Sequence, residues 1–95
     1  MTVQPSRSRV ERIRAQLQAA FHPQALEIAD ESHHHVGHAG ARDGKGHFSV
    51  RIVADAFLGQ RPMSRHQMVY RALADMMESD IHALSIVALA PGEAA

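Results

Sequence analysis

The chain has 95 residues, with ten basic side chains balanced by ten acidic ones, eight histidines and no cysteine. Zero formal charge excludes the strong basic field that attracts nucleic acid, and the lack of thiols excludes disulfides and an all-cysteine metal site. No apolar run approaches the roughly 18 residues of a membrane span, and no signal-peptide core is visible, so we expect a cytoplasmic protein. A chain of this length forms one modest core. We therefore predict a single domain over residues 1–95, with its core over about residues 8–91.

The first predicted element is a helix over residues 8–21, whose apolar positions are three or four residues apart and share one face. These positions are Val10, Ile13, Leu17, Ala20 and Phe21. Pro23 ends the helix, because a residue before proline is pushed out of the helical region. The sequence ALEIADE then alternates between apolar and polar residues, which predicts a short half-buried strand.

Residues 32–46 contain four glycines and no periodicity, which predicts a long loop. Loops of this length inside compact domains are usually functional or disordered. The sequence HFSVRIVAD after the loop alternates again, so we predict a second strand that is antiparallel to the first. Phe48, Val50 and Ile52 would face the core.

The sequence AFLGQRPM predicts a turn, and a second long helix is predicted over residues 64–80. Ser64 and Gln67 have the spacing of a capping box, and the apolar stripe consists of Val69, Leu73, Met76 and Met77. The sequence ALSIVALA predicts a third strand that is largely covered. The element order indicates an α+β fold, with helices packed on one face of a three-stranded sheet.

The histidines divide by their position in these elements. Four belong to the glycine-rich loop, namely His33, His34, His35 and His38. They could bind a metal weakly, but loop glycines do not fix the ligand geometry that a closed zinc site requires.

His82 falls between the predicted second helix and third strand and is therefore held on both sides. A rigid histidine and a loop histidine make half of a metal site, whose other half would come from another molecule. His22 can interact with the end of the first helix, and His47 can pair across the sheet. His66 would lie in the first turn of the second helix, where the helix dipole favours a neutral imidazole.

The residues from about Val10 to Glu93 resemble the BolA family. The likeness rests on the His-Phe strand opening, the Phe-x-Gly turn, the Arg-His pair, the Ile-His-Ala-Leu strand entry and the loop DESHHHVGHAGA. The resemblance implies a KH-like fold of the second type. It also implies a monothiol glutaredoxin partner, with a [2Fe-2S] cluster shared across the interface.

In such complexes the glutaredoxin supplies one thiolate and bound glutathione another. The resemblance gives this chain two histidine ligands: His82, and a loop residue that matches His35, with His33, His34 and His38 as alternates. Two histidines replace two cysteines at one iron in Rieske centres, so this ligation is chemically reasonable. We expect the isolated chain to be a monomer without a cluster, and the complex to be a heterodimer.

Regulation of transcription through DNA binding is the alternative function, since the resemblance also extends to regulators. The candidate surface is the turn FLGQR and the helix after it, with Gly59, Arg61, Arg65 and His66. Glutamines stand at two positions that are often basic in the family, which removes positive charge where phosphates would bind. We do not expect an enzyme, because no nucleophile triad, glycine-rich phosphate loop or carboxylate pair is present.

Overall fold

The computed structural model describes residues 5–32 and 44–93, with side chains described from residue 9 onward. The sheet has the order β1-β2-β3, in which β1 and β2 are antiparallel and β2 and β3 are parallel. In chain order the elements are α1 (Pro5–Phe21), β1 (Ala25–Asp30), β2 (Gly46–Val53), a 3-10 turn (Asp55–Phe57), α2 (Pro62–Ala72), α3 (Ala74–Ser79) and β3 (Ile81–Leu89). The predicted α+β fold is confirmed. Parallel strands require a crossover connection, and α2 and α3 provide it.

The core lies between the helices and one face of the sheet. All buried residues in the described ranges are apolar, and the largest are Phe48, Phe57, Ile13, Leu17, Ile52, Leu73, Met76, Ile81 and Val69. The alternation predicted for the first two strands is confirmed, because Leu26 and Ile28 pack against the core and β2 buries every second residue. No helix in residues 5–32 and 44–93 is long and apolar enough to cross a membrane.

The helix boundaries differ from those predicted. The first helix begins at Pro5 and not at residue 8. The second begins at Pro62 after an extended Arg61, so the predicted capping box is wrong, and Ser64 lies inside the helix. Proline fits the first helical position because its missing N–H has no partner there in any case. His66 consequently lies in the second turn of α2, not the first.

The predicted continuous helix over residues 64–80 is interrupted at Leu73, where ψ is 19°. Leu73 is fully buried, and α3 beyond it contributes the buried Met76 to the core. β3 begins at Ile81, two residues earlier than predicted, and is not largely covered. Its residues Ser85 and Val87 are exposed because the described helices pack on the other face of the sheet.

Candidate metal centre

His82 lies at an irregularity in the pairing of β2 with β3. The register shifts directly after the pair Gly46 and Ile81, which makes His82 an extra residue in β3. Strict alternation with Leu84, which packs against the core, would have turned His82 inward and Ile81 outward. The bulge reverses this arrangement, since Ile81 is 2% exposed and His82 lies on the surface. Bulges redirect side chains in this way beside functional sites.

A second imidazole lies beside His82. His47 is the second residue of β2 and is half-buried, and the centroids of the two rings are 5.1 Å apart with 47° between their planes. From the sequence, His47 was expected only to pair across the sheet. Two parallel strands begin at the same end of a sheet, so a histidine near the start of each is a signal that could have brought these residues together.

The connection between β1 and β2 leaves and returns at this same end of the sheet. The Glu31 amide donates to the His47 carbonyl at 2.7 Å, and the His47 amide donates to Ser32 Oγ at 3.0 Å. The Gly46 amide donates to the Asp80 carbonyl at 2.9 Å. The loop histidines proposed as ligands, His33, His34, His35 and His38, lie outside the described residues. Both described ends of their segment are nevertheless hydrogen-bonded next to His47 and β3.

A cluster of charged side chains surrounds Asp80, immediately before the strand that carries His82. Its carboxylate accepts from Arg9 Nε at 3.2 Å and from Arg12 Nη1 at 3.0 Å, and it also accepts from the Ser79 hydroxyl. The hydrogen bond from Ser79, followed by those from the two arginines, holds the pKa of Asp80 below its ordinary value, although burial opposes this shift. No local sequence pattern predicts this cluster, because Arg9 and Asp80 are 71 residues apart in the chain.

The residues of the alternative DNA-binding surface differ from one another in exposure and in their contacts within the fold. Gly59 is exposed with a φ of 73°, which favours glycine, and Arg61 is exposed. His66 is half-buried. Arg65 is engaged within the fold: it donates from Nη1 and Nη2 to the Glu93 carboxylate at 2.6 and 3.0 Å.

Arg65 also donates to the carbonyls of Gln60 and Ala88, at 2.8 and 3.0 Å. Its side chain is only 12% exposed. The hydrogen bond from Arg65 and one from the Ala90 amide lower the pKa of Glu93 to about 2. A phosphate would therefore have to compete with Glu93 for this guanidinium. Ala88 is six residues beyond His82 in β3, so the two candidate surfaces are about 20 Å apart.

The donor atoms near His82 fit a metal centre that is shared with another molecule better than one whose ligands all come from this chain. No group of three or more His, Cys, Asp or Glu side chains that could hold a metal ion is found in residues 5–32 and 44–93. The exposed His82 imidazole can supply one ligand, and the family resemblance assigns a second to His35, which lies outside the described residues. An iron of a [2Fe-2S] cluster needs two ligands besides its bridging sulfides, and imidazoles serve in this role in Rieske centres. The available residues thus fit a cluster whose remaining ligands come from another molecule.

The comparison with known families identifies the class of protein that carries this fold. The family model described as BolA-like protein matches residues 17–93. The chain therefore belongs to the BolA family, as its motifs had indicated. This membership confirms the resemblance and the fold that it implied, whereas the roles of individual histidines stay predictions.

The similar proteins include plant and bacterial ones. The chain is 46% identical over 91 residues to SufE-like protein 1, chloroplastic/mitochondrial, of Arabidopsis thaliana, covering 90% of this chain and 24% of that protein. The solved structure of the BolA domain of that plant's SufE1 matches with a TM-score of 0.81 and 43% identity, over 92% of this chain and 96% of the domain. The DNA-binding transcriptional regulator BolA of Escherichia coli is 43% identical over 76 residues, covering 80% of this chain and 70% of the regulator. The chain thus spans about a quarter of the plant protein but most of the bacterial one.

Proposed function

We propose that this chain is the partner of a monothiol glutaredoxin and that the two proteins together ligate a [2Fe-2S] cluster. His82 and one loop histidine, of which His35 is the first choice, would be the ligands from this chain. Glutaredoxin and its bound glutathione would supply the two thiolates. The complex would serve iron-sulfur cluster trafficking or the sensing of iron and redox state, without enzymatic turnover by this chain.

The exposed His82 imidazole is the observation that carries the proposal. It stands at a strand bulge, next to His47, at the end of the sheet where both described ends of the histidine-rich connection are hydrogen-bonded. A buried histidine could not bind a cluster that another protein also binds. A histidine on a paired strand also loses less conformational freedom on binding than one in a free loop.

The chemistry of imidazole explains why such a site would be labile. A neutral imidazole binds iron without adding negative charge, which raises the reduction potential relative to that of a thiolate ligand. Protonation removes the lone pair that binds the metal, so the affinity of a histidine ligand falls as the pH is lowered. A bound cluster would add one-electron chemistry that the side chains of this chain cannot perform.

Visible circular dichroism of the complex with a monothiol glutaredoxin and glutathione tests the proposal. We expect His82→Ala to abolish the spectrum that depends on histidine ligation, and His35→Ala to weaken or alter it, since His33, His34 or His38 can replace His35. The matched control is His22→Ala, which removes an exposed imidazole at the end of α1 and should leave the spectrum unchanged. An unchanged spectrum for His82→Ala would disprove the assignment and the mechanism based on it.

DNA binding is a second candidate function, which the similarity to the bacterial regulator favours. The exposed Arg61 and Arg71 are suited to contact phosphates, whereas Arg65 is held by Glu93. With a net charge of zero, we expect weak binding near neutral pH with a steep dependence on salt. Titration of labelled duplex at several salt concentrations, with Arg61→Gln and Arg71→Gln, tests this expectation. Tight sequence-specific binding at physiological salt would make regulation the main function.

A further inference from the structure

We propose that Arg9 and Asp80 form a clamp that positions His82 and fixes the returning end of the histidine-rich connection beside it. This inference rests on the proposed function, because it assigns a positioning role toward the same cluster. Neither residue would touch the cluster. The clamp is defined as the Arg9 guanidinium together with the Asp80 carboxylate and the Gly44 carbonyl that this guanidinium binds.

Arg9 bridges two segments that are distant in sequence. Its Nε donates to Asp80 Oδ2 at 3.2 Å, while its Nη2 donates to the carbonyl of Gly44. The guanidinium is planar and presents its donors in a fixed geometry, so one side chain can hold a carboxylate and a carbonyl in a defined relation. Arg9 therefore connects the segment just before β3 to the segment just before β2, and α1 supplies the rigid support.

The contact between Arg9 and Asp80 is partly sheltered from water, which strengthens it. The side chains of Arg9 and Asp80 are 20% and 14% exposed, whereas Arg51 and Glu27 on the open face of the sheet are 41% and 71% exposed. Exposed ion pairs contribute little to stability because solvent screens them and two long side chains must be ordered. Arg12 adds a second contact to the same carboxylate, which keeps Asp80 in place from two sides.

The position of Asp80 determines what the clamp holds. Asp80 is followed by Ile81 and then by the bulged His82, and its carbonyl accepts the hydrogen bond of the Gly46 amide. A bulge bends the strand locally, so contacts on both sides of it fix the direction in which His82 points. The clamp supplies these contacts on one side of the bulge, and the regular pairing from Ala83 onward supplies them on the other.

Two measurements separate the clamp from the proposed function. The first follows amide hydrogen exchange at Gly46 and His47 in the isolated protein, which requires neither partner nor cluster. We expect Arg9→Gln to accelerate exchange at these amides by about three- to tenfold, the effect of losing one charge-assisted contact. Arg9→Lys should recover part of the protection, since an ammonium pairs with Asp80 but lacks the fork that also reaches Gly44. Arg51→Gln is the matched control, because it breaks an arginine–glutamate pair elsewhere on the sheet.

The second measurement follows the shared cluster in the glutaredoxin complex, by visible circular dichroism and by the rate of cluster loss to a chelator. We expect Arg9→Gln to alter the spectrum and to raise the loss rate several-fold, with partial rescue by Arg9→Lys and no effect of Arg51→Gln. If Arg9→Gln folds poorly, Asp80→Asn tests the same ion pair, because it removes the charge of the carboxylate without changing its volume.

The outcomes are distinguishable. Exchange at Gly46 and His47 that is equal in Arg9→Gln and Arg51→Gln would overturn the clamp itself. Faster exchange together with an unchanged spectrum and loss rate would overturn only the positioning role. A wild-type complex without a spectrum that depends on His82 would overturn the proposed function, and the positioning role with it, while the exchange data would still report on the clamp.

Discussion

Gly46 occupies a position where a larger residue does not fit. A Cβ atom built on Gly46 would lie 2.6 Å from Phe48 Cε2 and 2.7 Å from Ser32 Oγ, both closer than real Cβ contacts allow. Phe48 is 2% exposed in the core, so its ring cannot move away without repacking its neighbours. Glycine at this position therefore lets the returning chain enter β2 between the core and the hydroxyl that binds the His47 amide.

We expect Gly46→Ala to lower the free energy of unfolding by roughly 1–3 kcal/mol, the usual cost of overpacking. Urea denaturation measures this change through the midpoint at constant slope. The same substitution in a Phe48→Leu background should cost less, because the shorter side chain leaves room for the added methyl group. Equal costs in the two backgrounds would contradict the steric explanation.

At the scale of single elements, α1 ends in an unusual conformation. His22 follows the last helical residue and has a φ of 47°, and its amide donates to the Gln18 carbonyl at 3.0 Å. Glycine usually occupies such a position after a helix, because a side chain there is strained in the left-handed region. His22 is exposed, so no packing depends on its imidazole.

We expect His22→Gly to raise the free energy of unfolding by up to about 1 kcal/mol, since relief of left-handed strain outweighs the added freedom of the unfolded chain. In a domain of this size, that gain corresponds to roughly 4–8 °C in the melting temperature. His22→Ala is the control, because alanine retains the strain and should give no gain. Equal shifts in the melting temperatures of His22→Gly and His22→Ala would refute the conformational explanation.

The segment that follows β3 is bound to α2 by the contact between Arg65 and Glu93. The folded protein lowers the pKa of Glu93 from 4.5 to about 2, mainly through the hydrogen bond from Arg65. A carboxyl with a lowered folded-state pKa stabilises the protein above its unfolded pKa, and this contribution is lost as the pH falls toward the folded value. The contact is therefore fully effective at neutral pH.

We expect the difference in unfolding free energy between wild type and Glu93→Gln to be constant above about pH 4.5 and to shrink between there and about pH 2. Urea denaturation across this range measures the difference. Arg65→Gln should remove most of this pH dependence, since the hydrogen bond from Arg65 is its largest cause. A difference that did not change with pH down to about 2 would contradict the pKa of Glu93 given by the structure.

At the scale of the whole molecule, the parallel pairing of β2 and β3 decides where the candidate centre lies. It brings the starts of both strands, each with a histidine as its second residue, to one end of the sheet. Arg65 and the Ala88 carbonyl to which it donates lie toward the opposite end. A ligand at one end should therefore leave the other accessible, and cluster binding and DNA binding need not exclude each other.

We expect the isolated protein to be a colourless monomer when it is purified without oxygen. The residues in the described ranges supply no group of three metal ligands, and the chain has no thiol. Absorption spectroscopy and sedimentation of the protein alone test this prediction. A stoichiometric cluster bound without a partner would contradict the shared site.

The sequence alone was sufficient for the type and order of the elements, because apolar periodicity is a local property of a helix or strand. It also identified the family and His82 as a candidate ligand, since the motifs that carry the resemblance are contiguous in the chain. The predicted boundaries failed where Pro62 competed with Ser64 as the start of a helix and where Leu73 interrupted one.

Only the tertiary structure decided which way His82 faces, that His47 lies beside it, and that Arg9 reaches Asp80. A one-residue bulge reverses the face of a side chain without changing the sequence pattern that predicts the strand. Contacts between residues 71 positions apart depend on how α1 packs over the sheet. Local patterns determine which elements form, whereas the packing of those elements against one core determines which side chains meet.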